Sequence, residues 1–209
     1  MSWRETRNRR FIIGLCGYGQ VGKDEVGRIL CENHEFRRFA KGDLIKYAAW
    51  QMSPALWIEE PVKDRPTPSW IQLHDLLGGC PPVDGRDPVE WIDSIKDKYP
   101  AVRRYLQNLA DNLVDVLGFD AWNQALYREI LMSGTQRVVL TRLSLPIEVE
   151  ELRSHGGLLV RVSRPGYGPA NDHPNEVALD TVEPDYTLDN SGSFDLLTKN
   201  VAEMVHELF

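Results

Sequence analysis

The chain has 209 residues, 42% of them apolar, with a formal charge of −7 at pH 7. That is enough to bury one sizeable core, and it predicts a single domain over 1–209 with an elaborated middle. The acidic balance argues against a duplex-binding surface, which needs a basic face; the one dense basic run, Arg4 to Arg10, is interrupted by Glu5 and reads as a solvated arm.

No apolar stretch approaches the ~20 residues that span a bilayer, and the N-terminus lacks an apolar signal region, so a membrane role is not expected. Cys16, Cys31 and Cys80 form neither an even framework nor a metal spacing, which predicts a reducing, cytoplasmic setting. Cys16 and Cys31 read as small core residues.

In chain order, Arg10 to Cys16 predicts a buried strand and Lys23 to Asn33 a helix with Val26, Ile29 and Leu30 inward. His34 to Ala40 offers a short strand, followed by a helix from Gly42 to about Met52 with Asp43 as its N-cap. From 53 to 100, prolines, the Gly78-Gly79 pair and scattered tryptophans break the periodicity. Short helical pieces are predicted at Trp70 to Leu77 and Val89 to Ile95, in a segment covering a binding site. Val102, Leu106, Leu109, Leu113 and Val116 recur at helical spacing, ended by Gly118, and Asp120 to Met132 gives another helix. Arg137 to Thr141 is a short buried strand. Pro146 starts a helix with Glu148, Glu150 and Glu151 near its positive end, closed by Gly156-Gly157. Strands at Leu158 to Ser163 and Asp185 to Leu188 and a helix capped by Ser193 complete an α/β pattern, an open parallel sheet with helices on both faces. Ligands of such sheets sit at the carboxyl ends of the strands.

Gly17-Tyr18-Gly19-Gln20-Val21-Gly22-Lys23-Asp24 lies between the first strand and the first helix. The spacing Gly-x4-Gly-Lys lets successive N–H groups point inward at an anion while Lys23 reaches the β- and γ-phosphates of a nucleotide. Asp24 stands where most such loops carry a Ser or Thr that binds Mg²⁺; its carboxylate can take a water of a hydrated Mg²⁺ or hold Lys23 and a substrate-side group. Phosphoryl transfer needs further cations around two anionic substrates, and Arg38, Lys41, Lys46, Arg65, Arg103, Arg104, Arg142 and Arg164 are the candidates. Arg142 and Arg164 stand out because each follows a strand. Residues 164–180 form a glycine- and proline-rich loop of the kind that closes over phosphates. His173 in that loop has no partner at metal-ligand spacing and is assigned no metal. Asp189 to Ser193 is either an ordinary turn with an N-cap or a segment whose backbone meets the adenine edge. Trp57, Trp70 and Trp91 are core residues or an aromatic wall for a base.

Several separated strings together resemble one family. They are the loop ending Gly-Lys-Asp; Arg38-Phe-Ala followed by Gly42-Asp-Leu44-Ile-Lys46; Arg104-Tyr-Leu106-Gln107; Gly118-Phe-Asp120-Ala-Trp122; Pro146-x-Glu148; Gly156-Gly157; Arg164-Pro165-Gly166; His173-x-x-Glu176; Leu179-Asp180; and Asn190-x-Gly192-Ser193. In this order, over nearly the whole chain, they are similar to the phage-type deoxynucleoside monophosphate kinases. The resemblance implies a three-layer αβα P-loop kinase fold that uses ATP and Mg²⁺ to phosphorylate a deoxynucleoside monophosphate, a homodimer, and a host-cytoplasm location if phage-encoded. It implies phosphate binding by Gly19, Val21, Gly22, Lys23, Asp24 and Glu25, with Asn190 and Gly192 beside the nucleotide. Arg142 and Arg164 would then stabilise the transferred group. Arg38, Lys41, Lys46, Arg65, Trp70, Arg104, Gln107, Asp111 and Glu176 would bind the monophosphate, and Asp24 the metal. The chain departs from that pattern at Arg142 and Ser144, where the family carries an aspartate and an arginine, and at Ala110-Asp111-Asn112, where it favours Gly-Thr-Glu.

Three other readings stay open. One is another small-molecule P-loop kinase, such as a dephospho-coenzyme A or phosphomevalonate kinase. Another is a nucleotide-binding module without catalysis, and a third, disfavoured by charge, is a nucleic-acid-binding ATPase.

Overall fold

Phe11–Cys16 carries no side chain that needs a polar partner, and it forms the central strand β1, buried along almost its whole length. The computed structural model describes residues 10–62, 65–76, 87–118, 120–169, 178 and 180–209. It divides into two units, one of Met1–Ala40 with Tyr127–Phe209 and the other of Lys41–Leu126.

In the first unit β1 is followed by α1 (Lys23–His34) and β2 (Arg37–Phe39), and later by β5 (Arg137–Thr141), α7 (Pro146–Ser154), β6 (Leu158–Ser163), β7 (Tyr186–Asp189) and α8 (Phe194–Leu208). The strands form a five-stranded sheet in the order β2-β5-β1-β6-β7. Every neighbouring pair is parallel, with Ile13 opposite Val139 on one side and Leu158 on the other. Alternate residues Ile13 and Leu15 of β1 and Val160 and Val162 of β6 pack with Val26, Ile29 and Leu30 of α1 and Leu197, Val201 and Met204 of α8. Gly14 points the other way, where an added Cβ would stand 2.3 Å from Leu143 and 2.6 Å from Leu152 of α7. Helices therefore cover both faces, the three-layer α/β arrangement expected of this sequence. Glu148, buried to 3% exposure, accepts hydrogen bonds from the Ser144 and Leu145 N–H groups at 2.7 and 3.1 Å, which fixes the start of α7.

The second unit contains α2 (Lys41–Met52), β3 (Ala55–Ile58), β4 (Ser69–Gln72), α3 (Leu73–Leu76), α4 (Pro88–Ile95), α5 (Pro100–Leu117) and the start of α6 (Ala121–Met132). Its core gathers Ala49, Trp50, Leu56, Ile58, Ile71, Leu73, Trp91, Ile92, Ile95 and Val102. Two expectations are corrected here. The helix expected over Trp70 to Leu77 starts only at Leu73, because Ser69–Gln72 pairs antiparallel with Ala55–Ile58. This ribbon buries Leu56, Ile58 and Ile71 and leaves Trp57 and Trp70 outside, 44% and 68% exposed. Asp43 does not cap α2, which begins two residues earlier; it lies in the first turn and pairs instead with Lys46 at 3.3 Å. Among the described residues no helix is long and apolar enough to cross a membrane.

Candidate phosphate site

The loop after β1 is shaped by two glycines that no other residue could replace without strain. Gly17 has φ 134°, and a Cβ there would stand 2.4 Å from the carbonyl oxygen of Val162. Gly22 has φ 99°, and its Cβ would stand 2.4 Å from Asn190 Nδ2. Asn190 uses that nitrogen to donate to Val21 O at 2.8 Å, and its own N–H donates to Ser163 O at 2.8 Å. It therefore braces the loop from behind. Gly22 is the N-cap of α1 and supplies no side-chain cap, and a helix N-terminus favours an anion.

The loop forms one wall of a cavity of about 650 Å³ at the carboxyl end of the sheet, where β5 flanks β1 on one side and β6 on the other. This is the switch point at which open α/β sheets bind ligands. Of the residues expected at the site, Gly19, Val21, Lys23, Asp24, Arg142 and Arg164 all line it, joined by Tyr167. Lys23 Nζ folds back to donate to the carbonyls of Gly17 and Tyr18 at 2.7 and 2.5 Å. Arg142 directly follows β5 with a φ of 79°, a conformation that costs a non-glycine residue about 1 kcal/mol or more, and its Nη2 lies 3.4 Å from Asp24 Oδ2. Both side chains are 68% exposed, so the pair is weak and open to exchange for a ligand. Arg164 sits over the Tyr167 ring at 5.2 Å.

Sequence reasoning missed Arg161 and Ser163, and named Tyr18, Asp180 and Asp189 only within longer strings, with no site role of their own; all five line the cavity. Arg161 lies within β6 on the side of the sheet opposite Val160 and Val162, and its Nη2 donates to Val182 O at 2.8 Å. An arginine inside an otherwise apolar strand was the signal available. Burial pushes the thiol of Cys16 above its ordinary value despite the pull of Arg161 and Lys23, which keeps it protonated and inert. Tyr18 donates to both oxygens of Asp180 at 2.9 and 3.0 Å, and that hydrogen bond raises the phenol above its ordinary pKa.

The remaining expected residues lie elsewhere. Glu25 pairs with Arg28 at 2.5 Å, Arg38 is exposed on β2, and Gly192 packs against Leu196. Seven belong to the second unit: Lys41, Lys46, Arg65, Trp70, Arg104, Gln107 and Asp111. Burial pulls Lys41 below the usual lysine range. Lys46 donates to Asp43 at 3.3 Å and Asp93 at 2.7 Å, and Arg65 to Asp75 at 3.0 Å. Trp70 meets Trp57 edge to face at 5.6 Å, while Arg104, Gln107 and Asp111 are exposed along one side of α5. Glu176, His173 and Cys80 lie outside the described residues, as does most of the second half of the 164–180 loop.

Among the described residues no group of three or more His, Cys, Asp or Glu could form a metal cage. A single carboxylate facing the cavity, as Asp24 offers, suits Mg²⁺, which keeps several waters and takes its other oxygens from nucleotide phosphates.

No protein-family model matches the chain. It is 23% identical, over 180 residues that make up 82% of this chain and 83% of the other, to a protein of Acanthamoeba polyphaga mimivirus provisionally named a deoxynucleotide monophosphate kinase. Remote likenesses among solved structures include TT1252 from Thermus thermophilus (TM-score 0.46, 16% identity, covering 97% of this chain and 100% of that one). The Mycobacterium tuberculosis APS kinase CysC Cys556Ala mutant is similar at TM-score 0.39 and 12% identity, covering 95% and 98%. A dephospho-CoA kinase from Campylobacter jejuni is similar at TM-score 0.41 and 9% identity, covering 95% and 96%. Likeness that remote says nothing of substrate, and the fold is read from the sheet order and helical layers themselves.

Proposed function

We propose that this protein is a P-loop phosphotransferase that moves the γ-phosphoryl group of ATP onto a deoxynucleoside monophosphate to give the diphosphate. The observation that carries the phosphotransferase reading is the convergence of an uncapped helix N-terminus, Lys23 and three arginines from the ends of β5 and β6 on one cavity. Phosphoryl transfer is mainly positioning and electrostatics, and this set supplies both. The loop amides and Lys23 hold the β- and γ-phosphates, and Arg142, Arg161 and Arg164 neutralise charge on the group in transit. Asp24 would hold a water of a hydrated Mg²⁺, which would supply positive charge to offset that of the phosphates.

The deoxynucleoside monophosphate acceptor is supported by the sequence strings and by the name of the mimiviral relative. A coupled assay for ADP formation with each deoxynucleoside monophosphate tests it. Turnover is expected with at least one. Bound ATP without turnover on any of them would overturn the acceptor assignment.

A further inference from the structure

The cavity holds negative groups as well as positive ones. Lys23, Arg142, Arg161 and Arg164 line it together with the carboxylates of Asp24, Asp180 and Asp189. Two of these carboxylates have other partners: Asp24 meets Arg142, which follows β5, at 3.4 Å, and Asp189 accepts from Ser191 Oγ at 2.6 Å. Asp180 is different, because the phosphate loop itself grips it, Tyr18 OH donating to its two oxygens at 2.9 and 3.0 Å across 162 residues of chain. The backbone behind it is tied to the sheet. Arg161 donates to Val182 O at 2.8 Å, Arg153 to Glu183 O at 2.7 Å, and Asp185 N–H to Leu159 O at 2.8 Å. A neutral hydroxyl fixes the carboxylate without cancelling its charge, so a full negative charge is held in the cavity where phosphates are to bind.

Like charges lining one cavity repel, and a divalent cation on the ligand relieves that repulsion. We propose that Asp180, held by Tyr18, is a charge filter of the phosphate site, disfavouring a bare polyphosphate and admitting one whose charge a divalent cation has reduced. This rests on the cavity being a nucleotide phosphate site.

The test is ATP binding by calorimetry, with excess EDTA and with excess Mg²⁺, on the wild type, Asp180→Asn and Tyr18→Phe. The quantity read is the ratio of the metal-free Kd to the Mg²⁺ Kd. Asp180→Asn should lower that ratio roughly three- to tenfold by tightening the metal-free complex. Tyr18→Phe should lower it by a smaller factor, since the carboxylate stays but is no longer pinned. An unchanged ratio overturns the filter, and so does a parallel loss of both affinities, which is what structural damage would produce. A ratio that falls only because Mg²⁺-ATP binding weakens, with the metal-free Kd unchanged, overturns it in favour of Asp180 holding the cation. A wild type that binds ATP under neither condition overturns the reading of the site itself.

Discussion

Two cations of the phosphate cavity and those of the second unit meet different acceptors. Around the phosphate cavity, Lys23 and Arg161 donate to the backbone carbonyls of Gly17, Tyr18 and Val182. In the second unit, Lys46 meets Asp43 and Asp93, Lys96 meets Asp93, Arg65 meets Asp75 and Arg103 meets Asp97. A carbonyl holds a cation in position and leaves its charge to act on a ligand, whereas a carboxylate within hydrogen-bond reach cancels much of it. A count of lysines and arginines therefore does not find an anion site; the kind of acceptor each one meets comes closer. On this view Lys23 and Arg161 suit ligand binding at little expense in stability, whereas carboxylate pairs, those of the second unit and Arg28 with Glu25 and Glu32 in the first, serve the fold.

Lys23→Met is the strongest way to break that contrast. Its ammonium makes two hydrogen bonds to loop carbonyls that water can replace, so the melting temperature should hardly move. Phosphoryl transfer should fall by about 10²–10³-fold, the usual loss when one preorganised charge-stabilising group is removed. Steady-state kinetics beside a thermal melt reads both numbers. A large fall in melting temperature would mean that the loop lysine is structural and that the contrast between the units is false.

Glu148→Ala sharpens the same comparison from the other side. This carboxylate belongs to the first unit yet faces backbone N–H groups instead of the cavity, so it should behave as a structural residue. Its loss leaves the Ser144 and Leu145 N–H groups without their acceptor, at about 1–3 kcal/mol. Urea unfolding measures the loss, and Glu148→Gln, which keeps one carbonyl acceptor, should recover much of it. Because Leu143 and Ser144 line the cavity, a weaker effect on ATP affinity should accompany the alanine variant and fade in the glutamine one.

The phosphate loop was legible in the sequence because its chemistry is local: glycines at fixed spacing, a lysine, a strand before and a helix after. The five strands of the sheet were legible for a related reason, since short buried runs between helical patterns admit few other arrangements. The ribbon of Ala55–Ile58 and Ser69–Gln72 was not. Its strands alternate over only four residues each, with several prolines between them, and Trp70 and Leu73 also fit a helical face. Arg161 was passed over because a strand interior reads as core, although a strand near its carboxyl end points alternate residues into a site. Tyr18 and Asp180 were beyond reach for a different reason. Their contact closes 162 residues of chain, and no local spacing carries that register.

The smallest effect tests the second unit. Burial alone would raise the Asp93 carboxyl, but hydrogen bonds from Lys46 and Lys96 and their charges bring it below the ordinary aspartate range. A carboxyl depressed on folding stabilises the native state above its unfolded pKa, and that contribution is lost as pH falls through the folded value. Asp93→Asn should therefore lower stability at pH 7, and the gap to the wild type should close below the carboxylate range. The Asp93 side chain is 37% exposed, so solvent screening keeps the difference under about 1 kcal/mol. Paired urea titrations at pH 7 and at a pH below the folded value of Asp93 resolve it. A gap that persists at the lower pH would show that Asp93 acts through packing, and would remove the best evidence that this unit uses its cations for the fold.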